Sequence, residues 1–118
     1  MSSQSLHPSR ESIQLLDNNE KGAWAEAHAI QWLIERNFWV FRNVAHLSPF
    51  DIIAVRKDGL TLLLDVKYVG GKPKKNRDPF TLRVLSEHQK FLGVRLFYVA
   101  SNGEVTIRPA LEDEIEKN

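Results

Sequence analysis

Apolar and polar positions along this chain change period several times, and each change marks an element. From about Glu20 to Arg36, apolar residues recur at three- and four-residue spacing, which predicts an amphipathic helix with Asn19 as its N-cap and Asn37 as its stop. A shorter helix is expected over residues 10–18, with Ile13, Leu16 and, at the margin, Leu15 turned inward and Asp17-Asn18-Asn19 ending it. Phe38 to Val44 alternates as a strand does, with Phe38, Val40 and Arg42 on one face and Trp39 and Phe41 on the other. Two apolar runs follow, Phe50 to Val55 and Leu62 to Tyr68, joined through a tight turn at Lys57-Asp58-Gly59. Ser86 to Leu92 reads as a helix opened by a Ser86-x-x-Gln89 capping box and closed by Gly93. Arg95 to Ala100 and Val105 to Arg108 read as a hairpin through Asn102-Gly103, and Leu111 to Lys117 as an acidic last helix. Strands and helices in this order predict an α/β (α+β) domain with a mixed sheet flanked by helices. It would span residues 10–118, after a loose N-terminal segment at 1–9.

Charge interrupts the two apolar runs where aliphatic residues are expected. Asp65 and Lys67 share one face of their strand, roughly 7 Å apart, while Leu64, Val66 and Tyr68 point the other way. Asp51 opens the preceding strand, and antiparallel pairing through the short turn brings it beside Asp65. Charges in such a setting are costly unless partnered. Two adjacent carboxylates repel, and a hard divalent cation resolves the conflict, since Mg2+ takes one or two carboxylates plus waters and substrate phosphates. In the long helix, Glu26 falls on the same face as Ala23, Ala29, Ile30 and Leu33, either within the apolar stripe or at its edge. Trp24, His28 and Trp32 lie four apart on the other flank, as packing or as an interface.

The chain has 118 residues, 42% of them apolar, which suits one core, and no cysteine, so any metal must be held by oxygen or imidazole. No apolar run approaches membrane-spanning length and no signal-peptide pattern is visible, so the expected location is cytoplasmic, without a membrane partner. A net charge of +1 does not announce a nucleic-acid binder, but its distribution is uneven. Glu112, Asp113, Glu114 and Glu116 against Lys117 make the tail −3 and leave +4 on the remainder. Lys72, Lys74, Lys75 and Arg77 crowd a Gly- and Pro-punctuated loop directly after Lys67. Such a loop suits either a solubilising surface or a clamp on phosphates, and it lacks aromatic residues for base stacking. His46 lies in the loop before Asp51, where it is solvated or near a substrate.

Asp51, thirteen intervening residues and then Asp65-Val66-Lys67 resemble the motif of the PD-(D/E)xK nuclease superfamily. The proline departs by one residue, standing at Pro49 with Phe50 between. Lys21-Gly22-Ala23-Trp24-Ala25-Glu26 is similar to the glutamate-bearing first helix of archaeal Holliday junction resolvases and related small endonucleases, and Ser86-Glu87-His88-Gln89 to the glutamine helix that follows the lysine. The resemblance covers about residues 20 to 108. It implies a restriction-endonuclease-like fold with an α-β-β-β-α-β core, and a metal-dependent DNA endonuclease of structure-selective, Holliday junction resolvase-like kind. Asp51, Asp65, the Val66 carbonyl and Glu26 would hold Mg2+, with Mn2+ as a substitute. Lys67 and Gln89 would complete the catalytic set, with Gln89 either orienting a reacting group or merely capping its helix. Lys72, Lys74, Lys75 and Arg77 would grip DNA, branched DNA included. A homodimer is a further expectation. The alternative is a catalytically silent nucleic-acid-binding or protein-interaction module of the same fold, with Trp24 and Trp32 as its partner surface.

Overall fold

The β2–β3 and β4–β5 hairpins each turn on a glycine with a positive φ. In the computed structural model, which describes residues 9–45, 48–70 and 85–111, the elements are α1 (Arg10–Gln14), α2 (Asn18–Glu35), β1 (Phe38–Arg42), β2 (Ile52–Arg56), β3 (Thr61–Val69), α3 (Glu87–Leu92), β4 (Val94–Ala100) and β5 (Val105–Arg108). Gly59 (φ 106°) turns β2 into β3, where the Arg56 amide donates to Leu60 O at 2.7 Å and the Gly59 amide to Arg56 O at 2.8 Å. Gly103 (φ 88°) plays the same part between β4 and β5, so Ser101-Asn102-Gly103 forms a three-residue loop. Among the described non-glycine residues only Asn37, at φ 68°, takes this conformation, as the chain leaves α2 for β1.

The long helix begins earlier than its periodicity suggests. Asp17, not Asn19, is the N-cap of α2, because the acid three residues beyond it closes a reciprocal pair: Glu20 N donates to Asp17 Oδ1 at 2.8 Å and Asp17 N to Glu20 Oε1 at 3.0 Å. Strand β1 stops at Arg42, two residues short of Val44. Helix α1 stops at Gln14 rather than at residue 18, and of the residues expected inward Ile13 is buried while Leu15, past the last helical residue, is exposed. The acidic tail beyond Leu111 lies outside the described residues.

The sheet order is β1-β2-β3-β4-β5, with β3 and β4 parallel and every other pair antiparallel. The expected mixed sheet is therefore present, and α2-β1-β2-β3-α3-β4 follows the expected α-β-β-β-α-β order. Helix α2 covers one face. Its buried Ala25, Ala29 and Leu33 pack with Phe38, Ile52, Ala54, Leu62, Leu64, Phe97, Val99 and Ile107. Val66 and Tyr68 border the same core, so the even-numbered residues of β3 face α2 and the odd-numbered ones face the other way. Trp24 and Trp32 also belong to this packing. Trp24 stacks on His28 (centroids 5.4 Å) and meets Tyr68 edge-on, and Trp32 meets Phe97 edge-on at 5.4 Å. His28 Nε2 lies 2.9 Å from Gly103 O and ties α2 to the β4–β5 loop. Their flank reads as packing rather than as a free partner surface. No helix among the described residues is long and apolar enough to cross a membrane.

Candidate active site

The site lies where β2 stops pairing with β3. Ile52 and Leu64 are the last pair of the ladder, and Asp51 N also donates to Leu64 O at 2.8 Å, so Asp51 leaves the regular register here and its carboxyl meets that of Asp65. There the backbone ladder ends. The Val66 amide would lack a partner, and Asp51 Oδ2 takes it at 2.8 Å. A strand residue directs its N–H and C=O to the same edge. The Val66 carbonyl therefore also opens toward Asp51.

Asp65 stands on the face away from α2, with its side chain 14% exposed. Lys67 Nζ lies 3.4 Å from Asp65 Oδ1, and Gln89 Nε2 donates to Asp65 Oδ2 at 3.2 Å. The same Gln89 amide nitrogen donates to Pro49 O at 2.7 Å. Its oxygen accepts from Ser86 N at 3.0 Å while Ser86 Oγ accepts from Gln89 N at 3.1 Å. Capping and site contact were expected to compete for one amide. They do not, because Oε1 serves the helix and Nε2 serves the site.

Burial pushes the Asp51 carboxyl up to about 6 from an ordinary 3.8. The Val66 amide opposes that rise, and the neighbouring carboxylates of Asp65 and Glu26 add to it. Asp51 and Asp65 thus form a pair in which full ionisation costs free energy.

Of the two placements its pattern allowed, Glu26 takes the edge of the apolar stripe. The buried stripe of α2 is Ala25, Ala29 and Leu33, while Ala23 is exposed and Glu26 sits at the stripe's edge. Its Oε1 accepts from Arg42 Nε at 2.9 Å, and its side chain is 28% exposed. Its charge reaches Asp51. Among the described residues no group of three carboxylate or imidazole side chains forms a ready metal cage. The donor set that is assembled is Asp51, Asp65 and the Val66 carbonyl, with Glu26 engaged by Arg42. Two carboxylates and a carbonyl suit a hard cation that keeps several waters. The role of Arg42 was legible only in part: alternation put it on one face of β1 with Phe38 and Val40, but not against Glu26. The bond from Gln89 to Pro49 had no signal in the sequence. Lys72, Lys74, Lys75, Arg77 and His46 lie outside the described residues.

No family model matches the chain. No curated protein matches it either. Among solved structures, it is similar to a bacterial homing endonuclease, I-Ssp6803I, at 17% identity and a TM-score of 0.46, over 71% of this chain and 56% of that one. This chain thus spans little more than half the neighbour's length, and a likeness so distant assigns no activity.

Proposed function

We propose that this protein is a metal-dependent DNA endonuclease that hydrolyses phosphodiester bonds at the Asp51–Asp65 pair. The observation that carries the reading is the arrangement around Asp65: a second carboxylate across the ladder, the Lys67 ammonium at 3.4 Å and the Gln89 amide at 3.2 Å. An inert sheet has no use for two repelling carboxylates at the open end of a strand pair. The PD-(D/E)xK resemblance supports the same reading.

Asp51, Asp65 and the Val66 carbonyl would hold Mg2+ or Mn2+. A bound ion supplies a water of lowered pKa and a Lewis acid for the phosphoryl oxygen. Lys67 offsets the charge that develops on the phosphate, an electrostatic role rather than that of a general base. Gln89 holds the Asp65 carboxylate in place from a helix whose start it also caps, so the site inherits the rigidity of α3. Glu26 acts from the α2 side, through water or once released by Arg42. Lys72, Lys74, Lys75 and Arg77, directly following β3 in sequence, would contact DNA phosphates and make binding salt-dependent. Branched DNA and a homodimer belong to the same proposal.

The test is a panel of duplex, branched and single-stranded DNA incubated with Mg2+ or Mn2+. Cleavage that requires metal and disappears in Asp65→Asn, with the fold unchanged by circular dichroism, is the expected result. Cleavage that survives Asp65→Asn in a clean preparation would discard the assignment. DNA binding with no product under any metal would favour the silent binding module.

A further inference from the structure

The sheet face next to the carboxylate pair is aromatic and open. Trp39 and Phe41 are 54% and 56% exposed, although each sits in a regular strand. Their neighbours Phe38 and Val40 turn toward α2, so these two rings are not part of the core. Trp39 pairs with Val55, Phe41 with Ile53, and Ile53 in turn with Leu63. Asp65 follows Leu63 on the same face of β3, and the Asp51 carboxyl meets it just past the Ile52–Leu64 end of the ladder. Phe41 therefore lies one row, roughly 7 Å along the strand, from the site, and Trp39 one row further. β1 is the outermost strand of the sheet, so the rings stand at an accessible border.

We propose that Trp39 and Phe41 form a stacking platform for unpaired bases that flank the phosphodiester held at Asp51 and Asp65. The inference rests on the nuclease reading and gives it a substrate class: DNA with unpaired nucleotides beside the cut. A phosphate at the carboxylate pair brings its neighbouring nucleotides onto this surface. The rows beside it are Trp39, Phe41, Ile53, Val55 and Leu63, which present no cation to a phosphate. Laying a sugar-phosphate backbone there would desolvate its charges without compensation. A base offers a flat apolar face instead, and aromatic side chains bind such faces with little regard to sequence. Two rings on one strand face stand roughly 7 Å apart, about twice the ~3.4 Å rise between stacked bases, so one base fits between them. Exposed apolar patches of this kind are the usual sign of a binding surface.

The experiment compares wild type with Trp39→Ala/Phe41→Ala by fluorescence anisotropy in chelator, so that binding is read apart from cleavage. The probes are a blunt duplex, the same duplex with a short single-stranded gap, and that gap built from abasic sites. Wild type should prefer the gap, and the double variant should lose roughly 5- to 150-fold per stacked base on the gapped DNA alone. Abasic sites should weaken wild-type binding to the same degree. Equal losses on gap and duplex, or none, overturn the platform. So does a concentration-dependent dimer that the double variant abolishes in sedimentation, since the face would then seat a second copy of the chain. If gap preference holds while cleavage survives Asp65→Asn, the platform stands and the catalytic assignment falls.

Discussion

Asp51 accepts a hydrogen bond at 2.8 Å from the backbone amide of Val66, fifteen residues away on the neighbouring strand. A side chain thereby continues a ladder that the backbone of β2 has abandoned. One bond thus terminates strand pairing, aims the Asp51 carboxylate at Asp65 and leaves the Val66 carbonyl facing the same opening. Structure and chemistry share these atoms, and the consequences are testable.

The raised Asp51 carboxyl makes metal-free stability depend on pH. The folded state holds this proton more tightly than the unfolded chain, whose carboxyl titrates near 3.8, so the contribution of Asp51 to stability is fully present below that value and is lost as pH rises through about 6. About 1 kcal/mol should disappear across that window, the conversion of about 1.4 kcal/mol per pH unit being reduced by solvent screening at a half-buried carboxyl. Urea unfolding in chelator from pH 4 to pH 8 should show the decline, and millimolar Mg2+ or Mn2+ should flatten it.

Asp51→Asn should reverse this trade. The amide oxygen can still accept from Val66, and the repulsion with Asp65 is gone. The variant should be more stable than wild type at pH 8 without metal, should lose the slope described above, and should not cleave DNA. A variant less stable than wild type at pH 8 would show that the carboxylate pair is not a strained one.

Gln89 holds two jobs on two atoms, so two substitutions should separate them. Gln89→Glu keeps an oxygen for the Ser86 amide but loses the donor to Pro49 and Asp65, and it adds a like charge. It should abolish cleavage while costing less stability than Gln89→Ala. Gln89→Ala loses both halves, at about 1–2 kcal/mol for the cap and the part-buried bond to Pro49. Thermal melts alongside cleavage rates distinguish the pair.

The Arg42–Glu26 ion pair is mostly solvent-facing on the arginine side, at 66% exposure, so its worth to the fold is small, about 0–1 kcal/mol. Arg42→Ala should leave the melting temperature nearly unchanged and tighten metal binding by releasing Glu26 toward the site. Glu26→Gln should weaken metal binding instead. Calorimetric titration with Mn2+ reads both, and identical affinities in all three proteins would remove Glu26 from the site.

Much of this protein was legible in the sequence because the relevant contacts are local. A strand's two-residue period places Asp65 and Lys67 together, and a three-residue turn ending in Gly59 dictates that Asp51 meets Asp65. The capping boxes of α2 and α3 are likewise written within four residues, though the first begins at Asp17 because Glu20, not periodicity, selects the cap. What only the tertiary structure decided involves atoms brought together across long separations. Gln89 reaches Pro49, forty residues away, because α3 packs beside β4 and faces the open end of β2–β3. Glu26 meets Arg42 because α2 crosses the end of β1, and Trp39 and Phe41 stay exposed because α2 covers only the opposite face. Hydrogen-bond ladders and side-chain alternation are properties of neighbouring residues. Which face of a sheet is covered depends on how whole elements pack, and no short stretch of sequence contains it.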